Sequence, residues 1–163
     1  MAAEYSANAL QVVQPNGSVI FTESPVPCNR GLIYHRDESG LFRLASPTTM
    51  GYSFRRSCCC GPLPSANYEC AFHCNISVPT DPAGTVEPIS LAIVIDGEID
   101  PSSIMTVTVP LVSDVTGDNV GADIIVSVPW ICRCSSVSVR NISAQPINVL
   151  NANLVFDFAG IRS

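Results

Sequence analysis

Lysine is absent from this 163-residue chain: all eight basic residues are arginine, and 14 acidic residues leave a formal charge of -6. Charged residues of either sign make up only 13 %, about half the share usual in a globular domain. An acidic chain without clustered Lys or Arg lacks the footprint of phosphate contact, so nucleic acid is not an expected partner. Arg55-Arg56 is the one adjacent basic pair, and it reads as a solvated loop. Histidine is scarce too, with only His35 and His73, each placed in a strand-like pattern. General acid–base catalysis therefore has few candidates. There is no G-x-S-x-G, no H-E-x-x-H and no phosphate-cradling glycine loop. Neither an enzyme nor a cofactor is expected.

No run approaches the ~20 apolar residues of a membrane helix, so no membrane partner is expected. Met1 to Gln14 shows no basic region followed by an apolar stretch, and no signal peptide is expected. Helix signals are nearly missing: 13 prolines and 10 glycines interrupt the chain at short intervals, with Val, Ile, Thr and Ser between them. That texture predicts an all-β protein, with short strands separated by turns. Hydrophobic residues reach 47 %, enough for one domain with a sizeable core. With so little charge, the surface suits a fold partly covered by identical neighbours.

Leu10 to Thr22 predicts a first hairpin turning at Asn16-Gly17, because Asn-Gly supplies the positive φ of a tight turn. Leu32 to His35 and Leu41 to Leu44 predict a second. From Ala45 to Asn67 the chain is irregular and holds Cys58-Cys59-Cys60. Tyr68 to Val78 alternates apolar even positions with odd ones such as Glu69 and His73, so one face is buried and the other open. Ile89 to Ile95 repeats the alternation and turns at Asp96-Gly97, and Met105 to Val109 follows. Ile124 to Val128, Val137 to Ile142, and Ile147 to Phe158, interrupted by Asn151 and Asn153, complete the set. About eight to ten strands fit an antiparallel jelly-roll sandwich.

The eight cysteines admit several readings. Cys70, His73 and Cys74 look like a metal cluster, but in a strand His73 points away from the two cysteines, which lie ~13 Å apart at ~3.3 Å per residue. Core packing as small apolar groups is the better reading for Cys70 and Cys74, and the spacing forbids a disulfide between them. Cys58, Cys59, Cys60, Cys132 and Cys134 sit in loops or beside a turn. They could be free thiols, form disulfides within or between subunits, or serve as weak candidate ligands for a structural metal. Asp96, Glu98 and Asp100 alternate as a calcium site might, without a distal bidentate glutamate; ordinary turn chemistry explains them. Asn16, Asn75 and Asn141 begin glycosylation sequons.

A polar turn after the first strand, Gly40-Leu41-Phe42, an aromatic strand from Tyr68 to Phe72, and an apolar strand from Leu91 to Asp96-Gly97 follow in order, before a Val-x-Val strand and a closing apolar run. This order resembles the jelly roll shared by tumour necrosis factor and complement-type globular heads, a fold that typically forms trimers. Further stretches are Ala9-Leu10-Gln11, Val19 to Thr22, Ile89 to Ala92 with Asp96-Gly97-Glu98, Ser138 to Asn141, Gln145 to Val149 and Asn151 to Leu154. They resemble small jelly-roll proteins of gut Firmicutes, often encoded by phages or prophages beside virion structural genes. Residues Thr48 to Asn67, Cys70 and Cys74 depart from that likeness.

The resemblance implies a non-enzymatic virion decoration or head-fibre protein. It would be made in the bacterial cytoplasm and displayed on the virion surface as a homotrimer bound to the major capsid protein or another virion component. On this reading residues 1–23 form an arm and first hairpin that anchor the capsid or the assembly, and 24–163 form the jelly roll with a Cys-rich insertion at 48–67. Ala92 and Val94, on the non-core face, are expected to pack against sister subunits, and the end loop holding Trp130 and Arg133 to meet the outside. Trp130 reads equally as a core or rim aromatic. The alternatives are a cysteine-cross-linked adhesin or fibre subunit of a bacterial cell or spore surface, and a carbohydrate-binding jelly roll with a host-surface glycan as partner.

Overall fold

A computed structural model describes residues 2–28, 32–36, 38–46, 65–82, 84–129 and 134–162. Twelve strands run through them: β1 (Ala2–Ala7), β2 (Gln11–Val13), β3 (Glu23–Val26), β4 (Ile33–His35), β5 (Phe42–Ala45), β6 (Ser65–Ser77), β7 (Ile89–Ile95), β8 (Glu98–Ile99), β9 (Met105–Val107), β10 (Asp118–Pro129), β11 (Cys134–Asn141) and β12 (Ile147–Arg162). They form two six-stranded antiparallel sheets. The first has the order β10-β6-β12-β1-β3 with β2 also on β12; the second has the order β4-β5-β11-β7-β8 with β9 also on β7. This is the expected all-β sandwich. Among the described residues no helix is long and apolar enough to cross a membrane.

The alternation in β6 is the reason it forms the spine of the first sheet. Tyr68, Cys70, Phe72, Cys74 and Ile76 are buried, while Glu69 and His73 are exposed. β12 pairs along its length with β6 on one side and with β1 on the other, so Leu154 and Phe156 are fully buried and Phe158 partly so. Asn151 and Asn153 do not interrupt this strand. A bulge between Val149 and Asn151 absorbs the irregularity, and such a bulge bends a strand without ending it. Phe42 of the second sheet meets Tyr5, Phe21 and Phe156 at ring-centroid distances of 4.7, 5.3 and 5.3 Å. The core is centred there, between the sheets.

The N-terminal stretch departs from the expectation of an arm. Ala2–Ala7 lies inside the first sheet between β12 and β3, with Ala3, Tyr5 and Ala7 buried. No structural boundary falls at residue 23. The expected hairpin of residues 10–22 is also corrected. The turn forms, with Asn16 at φ 62° and Gly17 N donating to Gln14 O at 2.8 Å, but its arms pair with different sheets. Gln11–Val13 joins β12, whereas Ser18 bridges Arg140 and Phe21 bridges Ser39. The Gln11 amide spans the gap, donating to Ile20 O at 2.9 Å and accepting from Ile20 N at 2.8 Å.

The second hairpin pairs as expected, Ile33 opposite Leu44 and His35 opposite Phe42. Asp96 (φ 51°) and Gly97 (φ 90°) turn β7 into β8, the conformation that makes Asp-Gly a hairpin signal. The insertion drawn at 48–67 is shorter at its end, since Ser65, Ala66 and Asn67 already pair with β10 and β12. Cys58, Cys59, Cys60, Trp130, Cys132 and Arg133 lie outside the described residues.

Candidate functional site

Ala92 and Val94 are not available to a sister subunit: within one chain they are 0 % and 2 % exposed. β7 is interior to its sheet, with β11 on one side and β8 and β9 on the other. Val94 is flanked in register by Ser138 and Ile99, and Ala92 by Arg140. Small side chains in that position are closed over by their neighbours.

The outer face of the first sheet is open instead. Register aligns His73 of β6 with Gly121 of β10 and Asn153 of β12, and Ala71 with Asp123 and Val155. Amide and hydroxyl groups stitch this face across strands. Asn75 Nδ2 donates to Asn151 Oδ1 at 3.0 Å, Asn153 Nδ2 to Glu4 Oε1 at 2.5 Å, and Ser127 Oγ to Asn67 Oδ1 at 2.6 Å. Gly121 leaves room for the His73 ring, which a Cβ there would strike. His73 Nε2 stands 3.9 Å from Asp123 Oδ1 with both side chains largely exposed, a contact worth little because water and salt screen it. The result is a flat face of small and amide side chains around half-buried Ala71 and Val155.

One end of the sandwich carries an apolar ridge. Val109 and Val115 are 84 % and 85 % exposed, and Leu111 and Val112 are about half as exposed. The segment is nevertheless anchored. Asp114 accepts from Thr80 Oγ1 at 2.7 Å and from Asn148 Nδ2 at 2.8 Å, and these hydrogen bonds hold its carboxyl below the usual range, Thr80 contributing first. Val78 N donates to Leu111 O and Ser113 N to Val78 O. Exposure of four large apolar side chains on a pinned segment is what an interaction surface looks like. The sequence pattern missed it, since Val109 falls in phase with Met105 and Val107 and reads as a strand residue.

At the opposite end Cys134 is exposed and sits directly across from Ala45, whose carbonyl accepts from the Tyr68 hydroxyl at 2.5 Å. Burial, then Cys28 and Cys134, push the Tyr68 phenol up to about 12. Cys28, which the sequence reading had not placed, packs against the core from the same end. Cys70 and Cys74 are buried on the inner face as expected, with His73 on the other. Burial, and secondarily Asp123, push the Cys70 thiol up to about 12, and burial raises Cys74 further still. Thiols held protonated in this way are poor nucleophiles and poor ligands at neutral pH.

The acidic alternation is used locally. Asp96 Oδ1 accepts from Ser136 N at 2.7 Å, and Asp100 Oδ1 from Ser102 N at 2.8 Å, capping a short 3-10 turn at Pro101–Ser103. Among the described residues no group of three or more His, Cys, Asp or Glu side chains is placed to hold a metal ion.

No family model matches the chain, and no curated protein matches it. Solved structures do. A zebrafish complement 1qA globular domain superposes with a TM-score of 0.56 at 11 % identity, over 97 % of this chain and 96 % of that one. The Eiger TNF of S. frugiperda does so with a TM-score of 0.55 at 9 % identity, over 100 % of this chain and 95 % of that one. The chain thus has the C1q/TNF-like jelly-roll fold.

Proposed function

We propose that this protein is a non-enzymatic structural module that works by self-assembly and surface binding, as a homotrimer on a virion surface. The observation that carries assembly is the exposed ridge Val109 to Val115, in a chain whose charged content is only 13 %. Such a surface finds its lowest free energy against another protein face. The fold supports the same reading, being one that is usually non-enzymatic and typically trimeric. The virion setting, with a capsid protein as partner, rests on the resemblance of the closing strands to phage-encoded jelly rolls. Fold alone does not fix it.

Light scattering on the purified protein tests the assembly: a mass three times the 17.3 kDa protomer is expected. Val109→Asp with Val115→Asp should lower that mass while leaving the circular dichroism unchanged. A wild-type monomer at micromolar concentration would refute the reading. Copurification with phage particles from an infected culture tests the setting, and its absence from purified virions would overturn that part alone.

Exposed Cys134 favours a second reading, a cysteine-cross-linked fibre of a cell or spore surface. That reading requires multimers on a denaturing gel that collapse with reductant, and their absence after air oxidation refutes it.

A further inference from the structure

The ends of β2 and β6 and the start of β12 meet around a cleft of about 210 Å³. That is room for one sugar ring, and less than the roughly 300–1,000 Å³ that larger ligands occupy. Val12, Pro79, Pro82 and Pro146 supply its apolar wall; Gln14, Asp81 and Gln145 supply the polar groups. Among the described residues, no arginine and no aromatic ring lines it.

The walls are fixed in advance. Asn141 is fully buried, and its Nδ2 donates to Val13 O at 3.0 Å and to Gln145 O at 2.9 Å, which ties the Val12–Gln14 wall to the Gln145–Pro146 wall. The third wall, Pro79 to Pro82, is held by Thr80, whose Oγ1 donates to Asp114. Prolines at three lining positions restrict the backbone further. A site that needs no ordering keeps more of its contact energy for the ligand.

The polar groups choose the chemistry. Gln145 Nε2 is already donated to Glu87 O, which leaves its Oε1 as an acceptor. Gln14 and Asp81 have side chains with no hydrogen-bond partner among the described residues. Asp81 only accepts and Gln14 both accepts and donates, so the complementary ligand presents mostly donors beside an apolar face. A neutral pyranose has both, in its hydroxyls and its C–H face. An acidic sugar would meet Asp81 without a compensating cation.

We infer that this cleft binds a neutral monosaccharide unit of a glycan. The inference does not depend on the assembly reading. Without an aromatic platform a single unit should bind at millimolar Kd, and several copies held together would raise the avidity toward a dense glycan surface.

The test is an amide NMR titration of the intact protein with the methyl glycosides of glucose, galactose, mannose and N-acetylglucosamine. Nα-acetylarginine amide stands in for a basic peptide. Saturable shifts at Gln14, Asp81 and Gln145 are expected with at least one glycoside. Gln14→Ala and Asp81→Ala, both at exposed positions, should weaken them by about tenfold with melting temperature and native mass unchanged. No saturable shift with any glycoside would overturn the inference. So would shifts with the arginine amide alone, or binding that both substitutions leave intact.

Discussion

Replacing Phe42 by alanine tests whether the two sheets are joined where the aromatic rings meet. Phe42 is fully buried on β5. Its ring stands edge-on to Tyr5 of β1 and is tilted against Phe156 of β12, and on its own sheet it stacks on His35 at 4.4 Å. The substitution removes a benzyl group from the middle of the sandwich, where neither sheet can close on the gap without moving as a body. Buried Phe→Ala changes cost about 3–5 kcal/mol, and edge-to-face partners push toward the upper half of that range. We expect a loss of about 4 kcal/mol, a large part of the roughly 5–15 kcal/mol that holds a domain folded. Urea denaturation followed by far-UV circular dichroism reads it. With an m-value of about 2 kcal/mol per molar the midpoint should fall by about 2 M at unchanged slope. Phe42→Leu, which refills most of the volume, should lose less than half as much. A loss below about 1 kcal/mol for the alanine variant would show that the rings do not couple the sheets.

Further outcomes follow from burial. Asn141→Ala removes the donor to Val13 O and Gln145 O and the acceptor of Ser143 N, so a destabilisation of about 3 kcal/mol is expected from thermal melts; a change within about 0.5 kcal/mol would refute it. Stability should fall in alkali. The folded chain keeps Cys70 protonated up to about 12 and Cys74 beyond that, against an ordinary 9.0. The unfolded chain releases those protons from about pH 9 upward, and each thiol then costs about 1.4 kcal/mol per pH unit. Denaturation at about pH 8 and about pH 10.5 should show the decline, Cys70→Ala should make it markedly shallower while the Cys74 share remains, and a flat wild-type profile would contradict the burial. Truncation after Leu150 deletes the centre of the first sheet and should abolish soluble, folded protein; a well-folded product would refute the topology.

Much of the sandwich was legible in the residues, because a strand with one packed and one open face must alternate. Tyr68 to Ser77 and Leu41 to Leu44 show it plainly. Ala2 to Ala7 did not read as a strand, since Ala3 and Ala7 carry too little apolar surface to mark a face and their partner lies at the far end of the chain. Asn16-Gly17 announced a reversal correctly, but a turn fixes only where the chain bends, and tertiary packing chose two different sheets for its arms. Ala92 and Val94 failed as surface residues because alternation cannot tell an open face from one closed by neighbours on both sides. The cleft was invisible for a simpler reason. Its walls come from residues 12–14, 78–82 and 145–146, and no local motif links them.

The pairing of β1 with β12 governs how the chain can be made. Synthesis runs from the N-terminus at about 5–20 residues per second, so Ala2 to Ala7 can pair early only with Glu23–Val26, and its other edge waits for Ala152 to Asp157. Until then β6 and β10 can pair, but the strand between β6 and β1 is missing and the first sheet stays split. Contacts so distant in sequence also slow the final docking. A ribosome that stalls before β12 therefore releases a chain that cannot close its core.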